Sequence, residues 1–302
     1  MVEQPGQERT VDLDGPVHYE EYEGAGSGTV VLVHGLGGSA LNWMRVAPAL
    51  TRWGRVLAPE LGGHGRTAAN VQASSVTANR ELLDRFLAAT TDEPVLLMGN
   101  SMGGAISLLE AAAAPEGVRA LVLVDPALPA WPTEADPVVL QTFMMYATPG
   151  VGEQFVRTVR QTTPPEALVA YTMQLCCADW TRIPTDVITA HVDHLKEHGL
   201  TEESETGFLN AARTLLELLR EPERIREAAA AVGAPTLVVG GDRDRLVPPE
   251  AIRAFAELRP DWRLEIMPGV GHVPMLEDPK GFLAIVEPWL EGLGSRTEPV
   301  AS

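Results

Sequence analysis

The chain has 302 residues, of which 45% are hydrophobic and 21% charged. That balance excludes a disordered or collagen-like chain, and the length allows one large domain or two ordinary ones. Lys and Arg number 23 against 41 Asp and Glu, a net charge of −18, and such a field repels nucleic acids and anionic membrane surfaces.

Cys176 and Cys177 are adjacent and have no further cysteine to pair with, so neither a disulfide framework nor a cysteine zinc site is expected. The opening MVEQPGQERT has no basic start and no apolar run. No window approaches the roughly 18 apolar residues of a membrane span. The expectation is a cytoplasmic protein. Self-similarity at a period of roughly 20–50 residues is not seen.

Residues 10–14 and 17–23 alternate apolar and polar side chains about Asp14-Gly15 and predict an antiparallel hairpin. Residues 29–33 form a short, continuous apolar run, the pattern of a parallel strand buried on both faces. Residues 40–53, with Leu41, Met44, Val46, Ala47 and Leu50, predict a helix, and residues 55–58 a weaker strand. Ser74 and Ser75 can cap a helix over residues 76–89. A strand over residues 95–98 leads into an Ala- and Leu-rich helix over 102–114, which stops before Pro115. Residues 120–124 are another buried strand.

The alternation then breaks between residues 128 and 219, a mostly helical stretch rich in Met and Tyr and punctuated by proline. It predicts an inserted helical cap, whose soft side chains suit a pocket roof. Strands resume at residues 236–239 and, more weakly, at 263–267, with helices over 249–258 and 279–290. Such alternation predicts a parallel sheet covered on both faces.

Four motifs follow predicted strands. Gly99-Asn100-Ser101-Met102-Gly103 stands between a strand and a helix, the setting of a nucleophile elbow. There Ser101 projects from a helix N-terminus, where the backbone N–H groups favour negative charge. In that arrangement an oxyanion hole needs the N–H after the nucleophile, Met102, and one from the glycine-rich turn His34-Gly35-Leu36-Gly37-Gly38, assigned to Leu36. His34 itself reads as a loop anchor. Gly240-Gly241-Asp242-Arg243-Asp244 places carboxylates at a strand's C-terminal edge, with Asp244 the candidate acid and Asp242 a turn residue. Gly269-Val270-Gly271-His272-Val273 sets His272 in a loop that can enter a pocket as a general base. His191, His194 and His198 could share a helix face, but the spacing lacks a placed general base, so a polar helix and no metal is expected.

The order Ser101, Asp244, His272 resembles the α/β-hydrolase superfamily over nearly the whole chain. The resemblance implies a Ser–His–Asp triad and a mostly parallel eight-stranded sheet flanked by helices. Residues 1–127 and 220–293 would be the core, 128–219 the helical cap and 294–302 a loose tail. It places the acid three residues after Gly241, at Asp244, with Asp125 as an alternative position. Relatives with dehalogenase or epoxide hydrolase chemistry need an aspartate where Ser101 stands. The elbow and Asn42-Trp43 are also similar to carbon–carbon bond hydrolases of aromatic ring cleavage, although Val273 stands where those usually carry tryptophan.

The expected reaction is hydrolysis of a small apolar carboxylic ester through an acyl-enzyme, without metal or organic cofactor. Candidate substrate contacts are Gly35, Trp43, Asn100, Met144, Met145, Trp180, Val247 and Val273. Carbon–carbon bond hydrolysis, with Arg157, Arg160 or Arg182 holding a substrate carboxylate, and a non-catalytic ligand-binding scaffold are the alternatives. Nothing in the sequence sets the oligomeric state.

Overall fold

The computed structural model describes residues 6–67, 72–129, 136–199 and 201–294. β1 (Gln7–Asp12) and β2 (Pro16–Tyr22) form the hairpin, with Val11 opposite Val17. Its turn needs left-handed backbone, with φ 61° at Asp14 and 135° at Gly15, residue types that tolerate it. β3 (Gly28–Val33) is followed by a broken segment rather than the continuous helix expected over residues 40–53. A 3₁₀ turn (Ala40–Trp43), α1 (Ala47–Leu50) and a second 3₁₀ turn (Thr51–Trp53) occupy it. Pro48 has no N–H to offer the i−4 carbonyl, so an α-helical ladder cannot run through it.

β4 (Gly54–Pro59), α2 (Val76–Thr90), β5 (Val95–Asn100), α3 (Met102–Ala113) and β6 (Val118–Val124) come next. The helices that follow β6 are α4 (Pro137–Ala147), α5 (Val151–Thr162), α6 (Pro165–Cys176), α7 (Thr185–His194) and α8 (Glu202–Leu219). The chain closes with α9 (Pro222–Ala231), β7 (Thr236–Gly241), α10 (Pro249–Glu257), β8 (Arg263–Met267), α11 (Pro274–Glu277) and α12 (Pro279–Gly294). The expected loose tail lies, beyond Gly294, outside the described residues.

The eight strands form one sheet in the order β1-β2-β4-β3-β5-β6-β7-β8. β2 runs antiparallel to both its neighbours, and every pairing from β4 to β8 is parallel. Alternate residues of the central strands serve opposite cores. Val31, Val33, Leu97, Leu121 and Leu123 face α2, α3, α9 and α10, through Phe86, Ile106, Ile225 and Phe255. Val30, Leu32, Leu96, Met98 and Val122 face the other layer, through Trp43, Leu50, Phe282 and Val286. Each such side chain is worth about 1.5–3 kcal/mol for its burial, which explains why the runs are apolar throughout instead of alternating.

Three of these helices reach the two cores. Leu215 and Leu218 of α8 enter the first, and Val169, Met173, Val187 and Val192 of α6 and α7 enter the second. Among the described residues no helix is long and apolar enough to cross a membrane.

Candidate functional site

Ser101 sits between β5 and α3 with φ 55° and ψ −122°, a conformation costly for any residue with a Cβ. The turn is locked from both ends. The Ser101 N–H donates to Val124 O at 3.0 Å, and its carbonyl accepts from Ala127 N–H at 2.9 Å and Ala105 N–H at 3.0 Å. The crowding explains the glycines: a Cβ on Gly103 would lie 2.3 Å from His34 O, and one on Gly99 would lie 2.3 Å from Gly103 O. α3 begins at Met102, so its first-turn N–H groups have no intrahelical acceptor and open beside the serine.

The loop after β3 closes the other side. A Cβ added to Gly35 would lie 3.0 Å from Ser101 Cβ, which places that backbone directly against the serine. Gly38 N–H donates to Gly35 O at 3.1 Å, and Gly37 has φ 69°. His34 is the loop's anchor. Leu61 N–H donates to its Nε2 at 3.0 Å, which puts the proton on Nδ1, and Nδ1 donates to Gly35 O at 2.8 Å. Complete burial, together with His64 nearby, holds the His34 imidazole down at about 3, so it stays neutral.

The candidate acid and base follow the ends of β7 and β8. Asp244 and His272 are both buried, and His272 Nδ1 donates to Asp244 Oδ2 at 2.6 Å. Asp244 Oδ1 accepts from Leu246 N–H at 2.7 Å and Val247 N–H at 3.1 Å, so both carboxylate oxygens are held by hydrogen bonds. Asp242, two residues earlier, is exposed and accepts from Gly269 N–H at 2.6 Å; it does not reach His272. Ser101 Oγ and His272 are not hydrogen-bonded, a looseness common in substrate-free sites.

Sequence reasoning missed two supports. Asn100 is buried, and its Nδ2 donates to Val124 O and to His272 O, each at 3.0 Å. It therefore ties the serine turn to the histidine loop. Glu277 is fully buried at the C-terminus of α11, and its carboxylate accepts from Gly271, Ala178 and Asp179 N–H groups at 2.8, 3.0 and 2.8 Å. It pins the histidine loop to the segment after α6, where His272 N–H also donates to Cys176 O at 2.6 Å. Only the convergence of loops distant in sequence reveals it.

Other expected contacts separate. Trp43 is completely buried beside Phe282, with ring centroids 6.5 Å apart, and is a core residue because the 3₁₀ turn carrying it packs under the sheet. Val273 is likewise part of that core. Val247 is buried beside Asp244, and Trp180 is half-buried against the second core. Met145 is half-buried on α4, while Met144 is 53% exposed on the same helix.

His191, His194 and His198 do not bring three ligand atoms together among the described residues. His191 is spent on Val187 O at 2.9 Å. The trio with cation-like spacing is Asp125, Asp244 and His272, within 4.8 Å of one another, and internal hydrogen bonds already use His272 Nδ1 and Asp244 Oδ2.

Comparison with known proteins adds the context. The sequence model of the family described as "Serine aminopeptidase, S33" matches residues 24–279. The chain is 31% identical, over 86% of its length and 83% of the relative's, to 2-hydroxy-6-oxo-6-(2'-aminophenyl)hexa-2,4-dienoic acid hydrolase of Metapseudomonas resinovorans. It is 26% identical to Lipase 3 of Moraxella sp. (strain TA144), over 86% of this chain and 76% of that one. Among solved structures, a putative lipase from Acinetobacter baumannii AYE superposes with a TM-score of 0.76 at 25% identity, covering 97% of this chain and 93% of the other.

Proposed function

The chain belongs to the serine aminopeptidase S33 family of α/β-hydrolases and is a serine hydrolase; from that premise we propose that it cleaves carboxylic esters through Ser101, His272 and Asp244. Ser101 Oγ attacks the ester carbonyl while His272 Nε2 takes its proton. Asp244 fixes the tautomer by accepting from Nδ1 and stabilises the imidazolium that forms. The Leu36 and Met102 N–H groups receive the oxyanion, each worth about 3–4 kcal/mol in the transition state. The imidazolium then protonates the leaving alcohol, and water activated by the same histidine releases the acid.

The observation that carries this reading is the buried 2.6 Å bond from His272 to Asp244, tied through Asn100 to the strained serine turn. Phe208 of α8 stands against Gly37 in the loop after β3 and packs edge-on against Tyr146 of α4, an apolar neighbourhood that supports a small apolar ester. Residues 128–219 serve in this reading as the cap over the site.

Carbon–carbon bond hydrolysis is the second reading, favoured by the 31% identity to the dienoic acid hydrolase. It asks for a free cation to hold the substrate's carboxylate. Arg160 pairs with Glu205 at 2.5 Å, Arg182 donates to Gly269 O at 3.0 Å, and Arg157 is exposed on α5, which leaves that reading weaker. The discriminating experiment compares kcat/KM for p-nitrophenyl esters of graded acyl length with that for the relative's named dienoic acid. Ester hydrolysis predicts that some ester is the better substrate. The reverse order selects carbon–carbon cleavage, and no turnover of either selects a ligand-binding scaffold.

A further inference from the structure

Asp125 follows β6 and is completely buried, with φ 41°, and the proposed mechanism gives it no part. Its Oδ1 accepts from Gly241 N–H at 2.9 Å, but its Oδ2 has no donor. One oxygen of Asp125, one of Asp244 and one ring nitrogen of His272 lie within 4.8 Å of one another. Two carboxylates therefore share a buried site with a single imidazole, whose one Nδ1 proton is already given to Asp244.

Ionising both acids would place two like charges side by side in a buried site. The partners decide which acid stays charged. Asp244 receives two backbone N–H groups and the imidazole, all of which favour a carboxylate. Asp125 receives one N–H, leaving an oxygen that is satisfied only if it carries a proton and has an acceptor to point at.

We propose that Asp125 is a positioning residue that keeps a proton on Oδ2 and donates it to Asp244, holding that carboxylate against His272. Resting on the assignment of Ser101, His272 and Asp244, this turns the triad into a chain of four groups. Burial and the neighbouring Asp244 both drive the Asp125 carboxyl well above the ordinary carboxylate range, in keeping with a persistent proton. The left-handed backbone at Asp125, strained for most residues but tolerated by Asp and Asn, points the same way: the position holds a short side chain at a fixed angle.

Two variants and one spectrum test it. Asp125→Asn keeps an uncharged donor of the same shape at a backbone angle Asn accepts. Asp125→Gly removes the donor without backbone strain. The Gly variant is expected to lose roughly 10–100-fold in kcat, the worth of one hydrogen bond to a charged group, with KM for the best ester changed by less than about threefold. Asp125→Asn is expected to recover most of that kcat. Independently of activity, infrared difference spectroscopy of the wild-type protein at pH near 8 should show a protonated-carboxyl stretch that Asp125→Asn removes. Absence of that band, an Asn variant as slow as the Gly variant, or a Gly variant with unchanged kcat each overturns the proposal. A fluorophosphonate label on Ser101 is read in the same samples: failure to label points instead at the assignment beneath it.

Discussion

Ser101 carries a measurable penalty for its place. Its φ of 55° and ψ of −122° suit glycine and no other residue, a strain of about 1–3 kcal/mol. Ser101→Gly relieves it, offset by about 0.5–1 kcal/mol of lost chain entropy. The variant should therefore be inactive on esters and yet melt higher, by roughly 2–4 °C for each net kcal/mol. Calorimetry on the two proteins decides it, and an equal or lower melting temperature would show that the turn is not strained. The two acids of the β7 turn divide as cleanly. Asp244→Asn keeps the shape but supports the wrong imidazole tautomer, and should cost about 10⁴ in kcat. Asp242→Asn loses only charge from an exposed bond to Gly269, so kcat should stay within about threefold of wild type. Parallel steady-state assays at one pH compare them; a crippled Asp242 variant beside a healthy Asp244 variant would move the acid by two residues.

Elements were legible where one signal dominated. The runs at β3, β5, β6 and β7 are apolar throughout because both faces are covered, and apolar continuity can be read without a fold in hand. The segment at residues 40–53 misled because its apolar spacing suits a helix while Pro48 divides it. Trp43, Asn100 and Glu277 were illegible for another reason: each owes its role to a loop that sequence distance hides. α3 adds a testable feature. Glu110 is buried near its C-terminal end, paired with Arg80 at 3.0 Å, and burial with Asp84 nearby pushes its carboxyl up to about 7. The folded chain thus keeps a proton there that the unfolded chain releases near pH 4.5. Stability from this group is full at low pH and declines as pH rises through that window. Glu110→Gln removes the decline, so its melting temperature relative to wild type should improve between pH 5 and pH 8. A constant difference across that range would show that Glu110 does not titrate there.

At the scale of the molecule, the sheet order brings four loops to one edge. β3, β5, β7 and β8 end beside one another or one strand apart, and deliver the glycine-rich loop of Leu36, Ser101, Asp244 and His272 in turn. That convergence is why four short motifs, scattered over more than half the chain, could be read together as a single site. The net charge of −18 names no substrate. Side-chain exposure within α4 was not readable, since Met144 and Met145 are neighbours in sequence and differ in exposure on one helix. The most direct measurement of the central claim is intact-protein mass spectrometry after treatment with a fluorophosphonate, followed by peptide mapping. The wild-type chain should gain one adduct, on Ser101, and lose ester hydrolysis in proportion, while Ser101→Ala gains none and has kcat lower by roughly four to six orders of magnitude. An adduct on another residue, or a Ser101→Ala variant that still turns over esters at near the wild-type rate, would contradict it.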